Sequence, residues 1–272
     1  MLQSINEAAD FIRSQTGDFK AEAGIILGTG LGGLVREIEI NHTISYEHIP
    51  HFPVSTVEGH SGKLIFGLLG GKRVMVMQGR FHYYEGYTMQ QVVFPVRVMK
   101  QLGIRFLFVS NASGGVNPNY EIGDVMMLTD HINLLPSNPL IGKNDPELGP
   151  RFPDMSEPYD RKMIHHAREF ALYEDFKLHE GVYVSVSGPC FETPAEYKYM
   201  RIIGGDAVGM STVPEVICAR HMGLPCFAVS VITDLGVEGK IQEVTHQDVI
   251  AAASKAEVKM TAIFRHLIAK HL

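Results

Sequence analysis

Short apolar runs alternate along this chain with segments of helical spacing, and that alternation limits the possible folds more than any other feature. Gly24 to Leu27, FLFVSN (106–111), DVMMLTDHI (124–132), GVYVSVSG (181–188), DAVGM (206–210) and CFAVSVITD (226–234) are too short for buried helices and read as buried strands. KLIFGLLGGKRVMVMQG (63–79) is two such runs around Gly70-Gly71, a hairpin signal. Helical patterns fall at 3–16, about 88–102, 159–173, 194–203, 213–222 and 246–269. The reading is an α/β fold, with the hairpin making its sheet mixed. With 272 residues, 45% of them hydrophobic, the chain can bury a sizeable core. No repeat, low-complexity tract or linker divides it, so a single domain over 1–272 is expected.

Several partner classes are disfavoured. The net charge is −6 and the 24 basic residues are scattered, so nothing resembles the electrostatic footprint of nucleic-acid binding. A small-molecule partner is expected instead. The three cysteines show no C-x-x-C pairing, which argues against a disulfide framework or thiolate metal site and fits a reducing cytoplasm. No apolar window approaches the roughly 20 residues of a membrane span, and the N-terminus does not read as a secretion signal.

Gly28, Gly30 and Gly33 match the G-x-G-x-x-G spacing of dinucleotide-binding turns. That fingerprint also needs a long helix after the turn and an acid about 20 residues on, at the end of a second strand. LVREIEINHTISYEHIP supplies neither, since Glu47 lies in no strand-like run. The glycines therefore read as a backbone cradle for some other anion.

In open α/β sheets ligands gather at the carboxyl ends of strands. Those ends here carry Thr29, Gln78-Gly79-Arg80, Asn111 to Gly115, Ser187-Gly188-Pro189, Met210-Ser211 and Thr233-Asp234. In QGRFHYYEGY (78–87), an extended chain would project Arg80, His82 and Tyr84 to one face at period two. Arginine's planar fork matches phosphate oxygens. Thr193 with Glu196, and Thr212 with Glu215, each read as a capping box with proline near the helix start. Glu192 and Ser211, just outside those helices, are left for other work. His246 reads as a first-turn residue behind a Thr245/Asp248 cap, and His60 as a loop residue. The 13 histidines form no metal-binding pattern. PSNPLIGKNDPELGPRFPDM (136–155) reads as a long irregular loop of a length that is usually functional.

The motifs LGTGLGGL, EGHSGKL, QGRFHYYEGY, SNASGGVNP, RFPDMS, GPCFETPAE and DAVGMSTVPEVICARH follow one another over most of the chain. Together they closely resemble the trimeric purine nucleoside phosphorylases, a family that also contains the methylthioadenosine phosphorylases. The resemblance implies a distorted mixed β-barrel wrapped by helices, active as a homotrimer, and cleavage of purine nucleosides by inorganic phosphate with no metal or organic cofactor. It implies phosphate binding by Thr29, Arg80, His82, the Ala112 backbone and Ser211, with His60 nearby. Ribose would meet Tyr84, Met210 and His246, with Phe152 reaching in from a neighbouring subunit. The purine would lie among Gly114, Phe191 and Val208, its edge addressed by Glu192, Thr233 and Asp234. His82, Glu192, Asp234 and His246 would be the catalytic set.

One position departs from the pattern. The 6-oxopurine enzymes carry asparagine where this chain has Asp234, and an ionised aspartate can only accept hydrogen bonds. Aspartate there marks the methylthioadenosine branch, which has a second aspartate two positions on and lacks the glutamate; this chain has Gly236 and keeps Glu192. The resulting expectation is that Glu192 dominates and selects inosine and guanosine, leaving room for adenosine, with the Asp234 carboxyl raised by burial. A methylthioadenosine or adenosine phosphorylase is the alternative. A non-catalytic nucleotide-binding domain, suggested by the glycines alone, is the remote one.

Overall fold

The computed structural model describes residues 1–57 and 61–271, and its sheet is organised by β5 (Phe106–Gly115), a strand that pairs with three others. On one side lies β1 (Ala23–Leu27), parallel to β5, followed by β4 (Lys72–Gln78), β3 (Lys63–Leu69) and β2 (Glu39–Ser45). On the other side come β8 (Ala207–Gly209), β7 (Leu178–Ser185), β6 (Val125–Asn133) and β9 (Cys226–Leu235). Strand β9 then pairs back, parallel, along β5 from Leu107 to Gly115. Five strands thus close a barrel-like ring, and the other four extend from it as an open wing. The β3–β4 hairpin turns at Gly70-Gly71, both at positive φ, as its turn chemistry requires.

The apolar runs become strands because helices cover the sheet. All five residues of β1 and nine of ten in β9 are buried, as expected of strands enclosed on both faces. Among the described residues seven helices supply the cover: α1 (Leu2–Thr16), α2 (Met89–Val92), α3 (Phe94–Gln101), α4 (Arg161–Tyr173), α5 (Pro194–Ile202), α6 (Val213–His221) and α7 (His246–His271). Helix α7 lays Ala253, Met260, Ile263, Phe264 and Leu267 against the ring. Phe264 meets Phe108 edge-on at 5.3 Å and Phe227 at 6.1 Å. Each such ring contributes roughly 1.5–3 kcal/mol through burial, so the C-terminal helix is anchored beside the cavity mouth that it helps to form.

Local differences from the sequence reading have identifiable causes. The segment after the glycine cluster is a 3-10 turn (Gly32–Glu37), and β2 follows where no strand was expected. Strand β5 runs on to Gly115 and β7 begins at Leu178 and stops at Ser185, because pairing with their neighbours outweighs local composition. The expected helix at 88–102 is two, α2 and α3, with Pro95 near the start of the second. Residues 136–155 have no regular secondary structure. Among the described residues no helix is long and apolar enough to cross a membrane, and Cys190, Cys218 and Cys226 are free.

Since β1, β4, β5 and β9 all run the same way, their carboxyl ends meet at one edge of the sheet. That edge is where the polar residues collect.

Candidate active site

The cavity at this edge has a volume of about 300 Å³. Its walls carry Thr29 from the loop after β1, and Arg80, His82 and Tyr84 from the chain after β4. Ala112 and Gly114 come from β5, Thr233 and Asp234 from β9, and Val208, Met210 and Ser211 from the β8 end. Phe191 and Glu192 precede α5, and His246 opens α7.

At one end sits the Arg80 guanidinium, 2% exposed. Its Nε donates to Glu215 Oε1 at 3.0 Å, and its Nη1 donates to the Ser110 carbonyl at 2.6 Å and to Ser211 Oγ at 3.1 Å. Glu215 is 3% exposed, so a buried carboxylate fixes the buried cation from behind. The glycine cluster makes this approach possible. A Cβ on Gly28 would fall 2.8 Å from the Ser110 carbonyl oxygen and 3.3 Å from Arg80 Nη1. One on Gly33 would overlap the Glu257 carboxylate of α7, to which the Gly33 amide donates at 3.2 Å. The glycines therefore seat the turn against α7 and the anion end. No long helix follows them, and Glu47 lies in a short 3-10 turn (Tyr46–His48) rather than at a strand end.

Thr212 and Glu215 correct the sequence reading. Thr193 does form the expected capping box with Glu196. Thr212 makes no side-chain cap: it is fully buried at φ +72°, ψ −52°, a conformation that costs a β-branched residue on the order of 1–3 kcal/mol. Its hydroxyl accepts from Asn111 Nδ2 at 2.8 Å, and Asn111 Oδ1 accepts from Ser230, whose hydroxyl meets Ser113 Oγ at 2.6 Å. Ser211 Oγ lies 3.2 Å from Thr212 Oγ1. A buried polar chain thus joins β9 and β5 to Arg80 and over-determines the strained turn.

His82 also differs in detail. Strand β4 ends at Gln78, Gly79 turns at φ +110°, and His82 opens a 3-10 turn (Tyr83–Glu85), so Arg80, His82 and Tyr84 share a cavity without sharing one face of an extended strand. The His82 and Tyr84 rings stack at 4.6 Å. His82 Nδ1 lies 3.0 Å from Glu85 Oε1, which also accepts from the His82 amide at 2.8 Å. Burial pushes the imidazole below its usual range, with the Glu85 contact opposing it. Burial alone would raise Glu85, but donors from His82 and Thr56 outweigh it and hold the carboxyl at about 2.

The other end of the cavity holds two carboxyls. Asp234 Oδ1 accepts from Thr233 Oγ1 at 2.9 Å and Oδ2 from the Tyr197 hydroxyl at 3.4 Å. Burial raises the Asp234 carboxyl, as expected, while both hydroxyls oppose it. Glu192 is raised too, by burial first and also by the nearby Asp234 charge. Gly114 permits close passage of β5, since a Cβ there would sit 2.8 Å from Asp234 Oδ2.

Of the site residues expected from sequence that the structure describes, all but one line this cavity. Phe152 does not: it is 87% exposed on the 136–155 loop. His60 lies outside the described residues. Thr245 caps α7 with Asp248 as expected, placing His246 at the cavity. Sequence reading gave Glu215 only a capping role, placed Asn111 at a strand end without assigning it work, and assigned nothing to Glu85 and Tyr197. A glutamate inside the otherwise apolar helix VPEVICA was the available signal for the first. Among the described residues no cluster of three or more His, Cys, Asp or Glu could hold a metal ion. A pocket with a fixed guanidinium at one end and two carboxyls with an aromatic wall at the other suits a ligand that is anionic at one end and a planar polar heterocycle at the other.

Residues 22–269 match the family described as the phosphorylase superfamily, so the fold and site define a member of that superfamily. The chain is 49% identical to purine nucleoside phosphorylase 1 of Geobacillus stearothermophilus over 97% of its own length and 96% of the relative's. It superposes with a TM-score of 0.93, at 43% identity, on Schistosoma mansoni purine nucleoside phosphorylase in complex with adenosine, covering 99% of this chain and 98% of the other. A Schistosoma purine nucleoside phosphorylase in complex with hypoxanthine gives the same figures. Within the superfamily, the chain belongs to the purine nucleoside phosphorylases.

Proposed function

We propose that this protein cleaves purine nucleosides and deoxynucleosides by phosphorolysis, chiefly inosine and guanosine, releasing the free base and α-(deoxy)ribose 1-phosphate for purine salvage. The observation that carries the reading is the polarity of the cavity, with buried Arg80 locked by Glu215 at one end and Glu192 with Asp234 at the other. Phosphate would bind Arg80, Ser211, Thr29, His82 and the Ala112 backbone, with His60 nearby. Tyr84, Met210 and His246 would meet the ribose, and Gly114, Phe191, Val208 and Thr233 would enclose the purine.

The chemistry follows from charge. As the C1′–N9 bond breaks, positive charge develops on the sugar and negative charge on the purine. A phosphate oxygen bonds to C1′, the bonding pair leaves with the purine, and the purine takes up one proton. No protein nucleophile is needed, and the chain contributes positioning and electrostatic stabilisation. Glu192 accepts from N1–H of a 6-oxopurine, and protonated Asp234 donates at N7. Inorganic phosphate is the co-substrate, with no metal or organic cofactor. The active unit is a homotrimer in which Phe152 reaches a neighbouring copy's cavity; its 87% exposure on an irregular loop supports this. A cytoplasmic location fits the three free thiols.

Asp234 supports a second reading, an adenosine or methylthioadenosine phosphorylase, because an ionised aspartate accepts from a 6-amino group. Parallel phosphate-dependent assays on inosine, guanosine, adenosine and methylthioadenosine separate the two. Fastest turnover of inosine and guanosine is expected. Efficient cleavage of methylthioadenosine with none of inosine overturns the first reading.

A further inference from the structure

The Tyr197 side chain is buried in α5, and its hydroxyl donates to the Asp234 carboxyl at the base end of the cavity. Its ring occupies the space beside Gly236: a Cβ there would fall 2.2 Å from Tyr197 Cδ1 and 2.3 Å from Cγ. The Gly236 amide is meanwhile pinned to the Gly115 carbonyl at 2.8 Å. Residues 197 and 236 are thus a matched pair, and the fit aims the phenol at Asp234 from outside the chemistry described above.

We propose that Tyr197 is a specificity-positioning residue whose hydroxyl holds Asp234 in its hydrogen-bond-accepting state and so admits 6-aminopurine nucleosides beside 6-oxopurines. This rests on the purine nucleoside phosphorylase reading. Asp234 receives two hydroxyl donors, Thr233 Oγ1 at 2.9 Å and Tyr197 at 3.4 Å. A carboxylate has only acceptor sites, whereas the protonated acid has one donor, so donors from the protein stabilise the accepting form. Burial opposes them, driving the carboxyl upward. The two states read different bases: the carboxylate accepts from an exocyclic amine, and the acid donates to N7 or O6. Thr233 is Asp234's own neighbour along β9, but Tyr197 comes from a separate helix and tips the balance. The same hydroxyl acts on Glu192, where its loss favours a protonated acid and therefore works in the opposite direction on base preference.

The test is Tyr197→Phe, which keeps the ring in its Gly236 niche, made in the wild-type and Asp234→Asn backgrounds. The ratio of adenosine to inosine kcat/KM is measured in all four proteins. The expected result is a roughly three- to tenfold fall in the ratio with Asp234 present, the size of one long hydrogen bond to a charged group. No fall is expected in the Asp234→Asn background, where the amide does not titrate and the Glu192 contribution is left alone. An unchanged or raised ratio in the first background, or an equal fall in both, overturns the inference. So does a wild-type enzyme that cleaves only one of the two nucleosides, because Asp234 then does not stand between two states. A wild-type protein that cleaves no purine nucleoside overturns the phosphorylase reading and this inference with it.

Discussion

Glu215→Gln perturbs the anion end without touching any atom expected to contact substrate. The Arg80–Glu215 pair spans 3.0 Å with both side chains at most 3% exposed. Removing one partner of such a pair leaves an uncompensated buried charge, at a cost of about 3–5 kcal/mol. An unfolding entropy near 2.1 cal/mol/K per residue gives about 0.6 kcal/mol/K for 272 residues, so Tm should fall by about 5–9 °C. Phosphate bound at Arg80, as proposed, would supply the missing negative charge. At 100 times its dissociation constant it stabilises by about 2.7 kcal/mol, and because the guanidinium in the variant lacks its counter-charge, added phosphate should raise the variant's Tm more than the wild type's. Catalysis should fall on the order of 10²-fold in kcat/KM for inosine, since the guanidinium loses the carboxylate that aims it. Thermal denaturation with and without phosphate, beside an initial-rate assay, reads all three. A Tm within 1–2 °C of wild type, with unchanged kcat/KM, would refute the assignment of Arg80 as a pre-aimed anion clamp.

Glu192→Ala should lower kcat/KM for inosine on the order of 10²-fold or more, as expected when a buried polar contact to the base is lost; a loss under tenfold removes Glu192 from base recognition. Asp234→Asn should improve selectivity for inosine over adenosine, because the amide donates without first taking up a proton; an unchanged preference in steady-state assays contradicts this. Glu85 is held at about 2 against an ordinary 4.5, so its contribution to stability is complete above about pH 4.5 and is lost as the pH falls through 2. Glu85→Gln should flatten that acid limb in a series of denaturation midpoints against pH, and an unaltered limb would show that the His82–Glu85–Thr56 contacts do not stabilise the fold.

The fold was legible where burial is two-sided. AGIIL and CFAVSVITD read as strands because helices cover both faces and no polar alternation dilutes the run. EINHTIS did not, because β2 is an edge strand with Ile44 as its single buried residue. The end of β5, SNASGG, has the composition of a turn, and only its pairing with β8 and β9 makes it a strand. In the site, residues on short motifs with an evident charge role, such as Arg80 and Asp234, were readable. Glu215 and Thr212 satisfied a local capping rule that a tertiary ion pair and a buried hydrogen bond to Asn111 override. Tyr197 belongs to no motif that signals a role, and its meaning depends on Gly236, which is distant in sequence.

In the proposed reaction the cavity uses phosphate, rather than water, as the acceptor of the sugar. Incubating the protein with inosine and following both hypoxanthine and ribose 1-phosphate tests it most directly. Cleavage should require inorganic phosphate and yield the two products in equal amounts. Hypoxanthine released without phosphate, with free ribose as the companion product, would show that water and not phosphate is the acceptor.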